Sequence, residues 1–402
     1  MSRTSKRVIA GGGLSSFASS LIAIIVGLGF GLIILLISNP DQAFAGLAVI
    51  ASGGFTGGMK GIGNVLYYAT PLIMTGLSVG FAFKTGLFNI GASGQLLVGA
   101  FVGVFVGHNA TWVPQPMLWV VALLAAILAG ALWGAIPGLF KALLNVHEVI
   151  ACIMCNYIAL YGINFLIKNS NIYDSRMNQT VNIGQAAIPR WGMDDIFHNI
   201  RGNFVDASSV NGGIIIALVL AIVMYFVLNR TTFGYELKAC GYNRNASRYA
   251  GINEKRSILF SMMIAGALAG TAGGLMYLAP TNGLNIRVEE ILSPQGFNGI
   301  SVALLGLSNP IGIIFTGLFV AYIEQGGYYL QRLNYMPEII DIIIAAIIYF
   351  SAFALLVKNL IAAAGRRRGA QRERADGAYD TDGAAVAAAS DGTGAAGEGE
   401  GL

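Results

Sequence analysis

Residues Asn229–Arg256, NRTTFGYELKACGYNRNASRYAGINEKR, form a polar interruption between two apolar runs, and their reading decides how the chain is laid out. The stretch carries Arg230, Lys238, Arg244, Arg248, Lys255 and Arg256 against only Glu236 and Glu254. An excess of Lys and Arg beside apolar runs marks the cytoplasmic side of a membrane, so this is a cytoplasmic loop flanked by spans. It also carries helical punctuation. Gly234 and Gly241 bracket Tyr235 to Cys240, Asn245 is a favourable N-cap for residues 246–250, and Gly251 is a favourable stop. Neither piece is long enough to cross a bilayer. Short capped helices on a cytoplasmic loop suit docking on a soluble protein, which points to a transporter driven by a separate partner. The plain alternative is a basic loop lying against lipid headgroups.

The whole chain of 402 residues is 55% hydrophobic and only 11% charged, with a mean hydropathy of +0.67. That is too apolar for a soluble domain of this length and implies a polytopic membrane protein, all-α, built as a transmembrane helix bundle. The net charge of +4 is modest and clusters beside apolar runs, so it sets membrane orientation and argues against nucleic-acid binding. Spans are read near 17–38, 65–83, 87–107, 117–139, 148–167, 212–229, 257–279, 297–308, 311–331 and 338–357. The eighth is too short to cross alone, giving about ten membrane segments with one short or re-entrant. Although Arg3, Lys6 and Arg7 give the N-terminus the basic start of a signal peptide, the run from Phe17 is long enough to span as an uncleaved helix.

Alternation from a cytoplasmic N-terminus (1–16) puts Lys84, Lys141, the loop region 230–256 and Arg366, Arg367 and Arg368 inside, leaving both termini cytoplasmic. The transmembrane domain then covers 17–358. The loop 168–211 falls outside as a folded cap, and Ala-, Gly- and Asp-rich residues 359–402 read as a disordered tail. Gly99, Gly103 and Gly107, Gly130, Gly134 and Gly138, and Gly266, Gly270 and Gly274 each line one helix face for close packing. Pro71 and Pro137 are expected to kink or end their helices. Cys152 and Cys155 form a CxxC in an apolar run with no second pair and no adjacent histidine, so they read as small buried fillers, with no metal site.

Four stretches carry a resemblance: GLFNIGASGQ (Gly86–Gln95), HEVIACIMCNY (His147–Tyr157), FGYELKACGYNRNASRYAGI (Phe233–Ile252) and GFNGISVALLGLSNPIG (Gly296–Gly312). In this order they resemble the permease subunits of ABC importers serving branched-chain amino acids, ribose-like sugars and nucleosides, with the nucleoside and simple-sugar branch the nearest likeness. The resemblance implies a bacterial cell-membrane importer subunit and a coupling region that docks on a cytoplasmic ATPase through Glu236, Arg244, Arg248, Tyr249, Gly251 and Ile252. The chain has no GxxxxGK[ST] loop, so ATP and Mg would be used by that partner, with no cofactor held here. Further implied partners are an extracytoplasmic substrate-binding lipoprotein, a paralogous permease forming a heterodimer, and membrane lipid.

For the solute path, polar and aromatic groups inside apolar runs are the candidates: Tyr67, Tyr68, Asn89, Asn156, Tyr157, Tyr161, Asn164, Asn298 and Ser301. Aromatic faces cover rings and amides pair with hydroxyls or ring nitrogens, so the set suits a neutral polar solute. Nucleosides lead and a ribose- or galactose-like sugar is the alternative. An ion-coupled carrier would normally need ionisable residues near the bilayer midplane, and the sequence shows none clearly there. Scattered His108, His147 and His198 give no nucleophile and base at a usable spacing, so the chain is not read as an enzyme.

Overall fold

The computed structural model describes residues 25–201, 204–279, 284–336 and 338–352. The expected N-terminal segment 1–16, the start of the first span, the end of the last and the tail from 359 lie outside them. The main unit is Gly27–Tyr349; a second comprises Met1–Val26 with Phe350–Leu402. The main elements are α1 (described from Ile25 to Ser38), α2 (Ala43–Ser52), α3 (Gly58–Lys84), α4 (Ala92–Asn109), α5 (Gln115–Leu144) and α6 (Glu148–Lys168). After a segment with two antiparallel hairpins, β1 (Tyr173–Asp174) with β2 (Gln179–Thr180) and β3 (His198–Arg201) with β4 (Phe204–Ala207), and a single turn α7 (Met193–Ile196), helices resume. These are α8 (Gly213–Arg230), α9 (Thr232–Tyr242), α10 (Arg244–Tyr249), α11 (Glu254–Tyr277), α12 (Pro294–Leu305), α13 (Pro310–Leu330) and α14 (Glu338–Ala352).

Among the described residues, five helical stretches are long and apolar enough to cross a membrane: Pro40–Lys84 and helices α5, α6, α8 and α11. The other expected spans are helical too but shorter or more polar. Helix α4 begins only at Ala92, because 86–91 form a turn, and α13 carries Glu324, Gln325 and three tyrosines. Helix α3 starts at Gly58, two turns before the expected 65, and the connection before it is itself largely helical. Pro71 and Pro137 end nothing: both lie inside continuous helices.

Packing follows the small-residue stripes. Helix α11 is clasped by α3, α4 and α5, and a Cβ at Gly134 on α5 would sit 2.9 Å from Gly266 Cα on α11, so only glycine permits this approach. Caps fix the helix starts. Asn309 Oδ1 accepts from Ile311 N at 3.0 Å with Pro310 in the first turn of α13, and Asn253 Oδ1 accepts from Arg256 N at 3.1 Å to begin α11. Helix α12 has 12 residues, about 18 Å, well short of a bilayer core of roughly 30 Å. Left-handed Leu307 and Ser308 turn the chain straight back into α13. Its N-terminus is pinned inside the bundle, where Thr75 Oγ1 donates to Gln295 O at 3.0 Å and Ser93 Oγ to Ser293 O at 2.8 Å. The bundle thus has a coupling end, carrying α9 and α10, and a loop end, carrying the hairpins.

Candidate functional site

At the coupling end, Thr231 Oγ1 accepts from Gly234 N at 3.1 Å and starts α9. Asn243 ends α9 and caps α10, its Oδ1 accepting from Ala246 N at 3.0 Å, so the cap is Asn243 and not the expected Asn245. Gly234 and Gly241 likewise do not bracket a helix; they lie inside α9, where close neighbours leave no room for a side chain. A Cβ at Gly241 would come 3.0 Å from Gly86 N and Thr85 C in the turn after α3. Left-handed Gly251 (φ 82°) closes α10, as expected, with Ile252 N donating to Ser247 O at 3.0 Å. Leu237, Cys240 and Ser247 are buried and fasten the pair to the bundle, whereas Tyr242 and Tyr249 are 90% and 93% exposed. A groove of about 570 Å³ runs between the helices, with Glu236 and Ile252 on its walls. Arg244 is half-exposed, and Arg248 and Gly251 are open to solvent.

Behind this surface sits the turn Gly86–Gly91, closed by a buried amide network. Asn89 exchanges bonds with Gln95 (Nδ2 to Oε1 2.8 Å, Nε2 to Oδ1 3.1 Å) and donates to Ser78 Oγ at 3.1 Å. Asn156 on α6 completes it, accepting from Gly94 N at 2.9 Å and donating to Ile90 O at 3.1 Å. Asn89 and Asn156 are therefore fully engaged in holding α4 and α6 to the turn, and Cys152 packs beside them as a buried free thiol. At the edge of the same end, Lys141 Nζ meets Glu148 Oε2 at 2.9 Å with both side chains nearly buried.

At the loop end, α3, α12, α13 and the β3–β4 hairpin enclose a polar cavity of about 700 Å³. Helix α3 contributes Lys60, Asn64 and Tyr68, α12 contributes Gln295, and α13 contributes Glu324 and Tyr328. The hairpin is stitched to the rim: Lys60 Nζ to Asp206 Oδ1 2.6 Å, Asn199 Nδ2 to Gly57 O 2.6 Å, and Ser209 N to Asn64 Oδ1 3.1 Å. Asn298 Nδ2 donates to Glu324 Oε1 at 3.0 Å, joining α12 to α13. Arg332 lies 5.0 Å over the Tyr329 ring at the rim.

Of the residues expected along a solute path, the cavity gathers Tyr68 directly and Asn298 through Glu324. Tyr67 packs edge-on to Tyr68 but is buried, its hydroxyl donating to Met276 O at 2.8 Å. Tyr157 and Tyr161 stack on each other with ring centroids 6.5 Å apart on the outer face of α6, each more than half exposed. Asn164 donates to Glu289 O at 2.8 Å and lines a separate pocket of about 480 Å³; Ser301 is half-buried on α12. Lys60, Asn64, Gln295 and Glu324 were not among the expected residues. Glu324 had a legible signal: a carboxylate inside an apolar run, with no cation three or four residues away to pair it.

Comparison with known proteins meets this geometry. Residues 61–352 match the family described as branched-chain amino acid transport system / permease component. The chain is 38% identical over 353 residues to the guanosine ABC transporter permease protein NupP of Bacillus subtilis, covering 86% of this chain and 95% of that protein. It is 32% identical to the glucose ABC transporter permease protein TsgB13 of Haloferax volcanii (72% of this chain, 75% of that one). A second Bacillus subtilis protein, the guanosine ABC transporter permease protein NupQ, is 29% identical (65% and 79%). With a matching family model along most of its length, an apolar helical bundle and a capped helix pair at one end, the chain belongs to this permease family, as a multi-pass membrane subunit of an ABC transporter that works with an ATPase and a substrate-binding partner.

Proposed function

We propose that the chain is one permease of an ATP-driven importer for nucleosides. The observation that carries the reading is the cavity at the loop end: aromatic, amide and carboxylate groups around about 700 Å³, a size and chemistry suited to a neutral ring bearing hydrogen-bond donors. The loop end faces outward and receives solute from an extracytoplasmic binding lipoprotein; the coupling end and both termini face the cytoplasm. Helices α9 and α10 dock on the ATPase, with Glu236 and Ile252 in the groove and Arg244, Arg248, Tyr249 and Gly251 around it. Nucleotide and Mg stay with the ATPase. Tyr68, Asn298 and Ser301 belong to the solute path, while Asn89 and Asn156 serve it indirectly by holding the turn between α3 and α4. That two guanosine permeases of one Bacillus subtilis strain both resemble this chain supports a heterodimer with a paralogue.

A simple-sugar importer is the second reading, supported by the likeness to a glucose permease. The test is to purify a tagged copy of the chain in mild detergent, identify what co-purifies, and measure ATP-dependent uptake of guanosine, adenosine, ribose and glucose in liposomes. Co-purification of an ATPase and a second permease, with nucleoside uptake saturating first, is expected. Sugar uptake alone favours the second reading. Solute transport by the single chain without ATP overturns both.

A further inference from the structure

We propose that Glu324 reads the solute in the loop-end cavity, and that it recognises a pair of neighbouring hydrogen-bond donors on a neutral ring; this rests on the nucleoside reading above. Glu324 lies six residues before the end of α13, about 9 Å below the loop end, where an ionisable side chain is costly unless partnered. Among the described residues it has one partner, Asn298 Nδ2 on Oε1 at 3.0 Å, and it takes part in none of the ion pairs. Of the cations that share the cavity, Lys60 is paired with Asp206 at 2.6 Å and Arg332 lies over the Tyr329 ring at the rim, neither of them on Glu324. Glu324 lines the cavity, and its single hydrogen bond leaves the carboxylate with spare acceptor capacity there.

Their orientation is fixed from behind. Asn298 rides on α12, whose first turn is pinned by Thr75 and Ser93, so the carboxylate plane is set by the bundle and not by the solute. In its ionised form such a group only accepts hydrogen bonds, and it favours a solute that offers adjacent donors. Two such donor pairs occur on a nucleoside: the vicinal ribose hydroxyls, and the N1–H and amino group of guanine. Tyr68 and Tyr328 offer ring faces beside it. Sites built on hydrogen bonds discriminate strongly against analogues lacking the donor, because the buried acceptor is then left unmatched.

The experiment uses the intact complex, purified through this chain and reconstituted with its binding protein. Uptake of guanosine, 2′-deoxyguanosine, 3′-deoxyguanosine and inosine is measured at binding-protein saturation, with binding of each to the binding protein determined separately. The wild-type complex is expected to move an analogue lacking a donor about tenfold more slowly. Glu324→Gln, which presents an amide N–H where an acceptor stood, is expected to bring that ratio close to one and to slow guanosine itself. Discrimination against the deoxy analogues assigns the site to the sugar, and discrimination against inosine to the base. Ratios equal in wild type and Glu324→Gln overturn the inference while leaving the importer reading intact; no nucleoside uptake by the wild type removes both. Should Glu324→Gln fail to assemble, Asn298→Ala, which leaves the carboxylate unoriented, decides: a several-fold loss of discrimination supports the inference and unchanged discrimination overturns it.

Discussion

Replacing Gly241 by Val tests whether the backbone contact between α9 and the turn after α3 carries motion from the ATPase into the bundle. A Cβ there would stand 3.0 Å from Gly86 N and from Thr85 C, with Lys84 O also in its way. Favourable heavy-atom contacts lie at about 3.5–4.0 Å, so α9 must retreat by roughly 0.5–1 Å, and further for the two methyl groups of valine. Overpacking of this size costs about 1–3 kcal/mol. If that energy is charged to the seated arrangement of α9, its ratio to the unseated one falls about 5- to 150-fold. The assay is ATP-dependent uptake by the reconstituted complex, beside ATP hydrolysis and the amount of complex recovered. Uptake is expected to fall at least fivefold while hydrolysis continues. Gly162→Val is the control, because a Cβ at Gly162 meets nothing within 4 Å. Wild-type uptake by Gly241→Val at equal complex recovery would show that this contact carries no motion into the bundle.

Reversing charge at Arg244 and Arg248 together is expected to abolish uptake with membrane insertion intact; unchanged uptake removes both from the docking surface. Asn89→Leu leaves Gln95 without its reciprocal partner in a fully buried network, which costs about 1–3 kcal/mol and is read as a lowered melting temperature in detergent. Lys141→Met strands Glu148 at 11% exposure and is expected to reduce folded yield sharply, whereas Lys141→Met with Glu148→Gln recovers most of it. Equal yields from the single and double variants would show that the pair is solvated. Lys60→Met breaks an ion pair with partners 33% and 44% exposed, so its melting temperature is expected to stay within a degree or two of wild type.

The helical bundle, the short α12 and the capped pair at 229–256 were all legible, because hydropathy, span length and cap chemistry act locally. What escaped the sequence depended on which neighbour a residue meets. Gly234 and Gly241 have the look of helix boundaries, yet they are interior positions required by Leu228 and Gly86 lying against them. Asn243 and Asn245 are equally good caps on paper; the extended backbone at Asn243 decides between them. Helix α6 is apolar nearly all round, so nothing in its pattern told that Tyr157 and Tyr161 face out while Asn156 faces in. For the same reason the hairpin's contribution of Asn199 and Asp206 to the cavity rim could not be read: that contact joins residues some 140 positions apart.

Helix α3 has a consequence of its own. Its 27 residues make a rod of about 40 Å that bears Lys60 near one end, carries Tyr68 about 12 Å further along, and stops at Lys84, beside the Gly241 contact, at the other. Pivoted at the coupling end, such a rod sweeps its far end through about 0.7 Å for each degree of tilt, by the geometry of that length. A five-degree swing therefore displaces Lys60 by roughly the length of a hydrogen bond, the scale on which its contact with Asp206 is made or lost. A stroke delivered at the coupling end needs no relay of side chains to reach the loop end: one lever spans the distance.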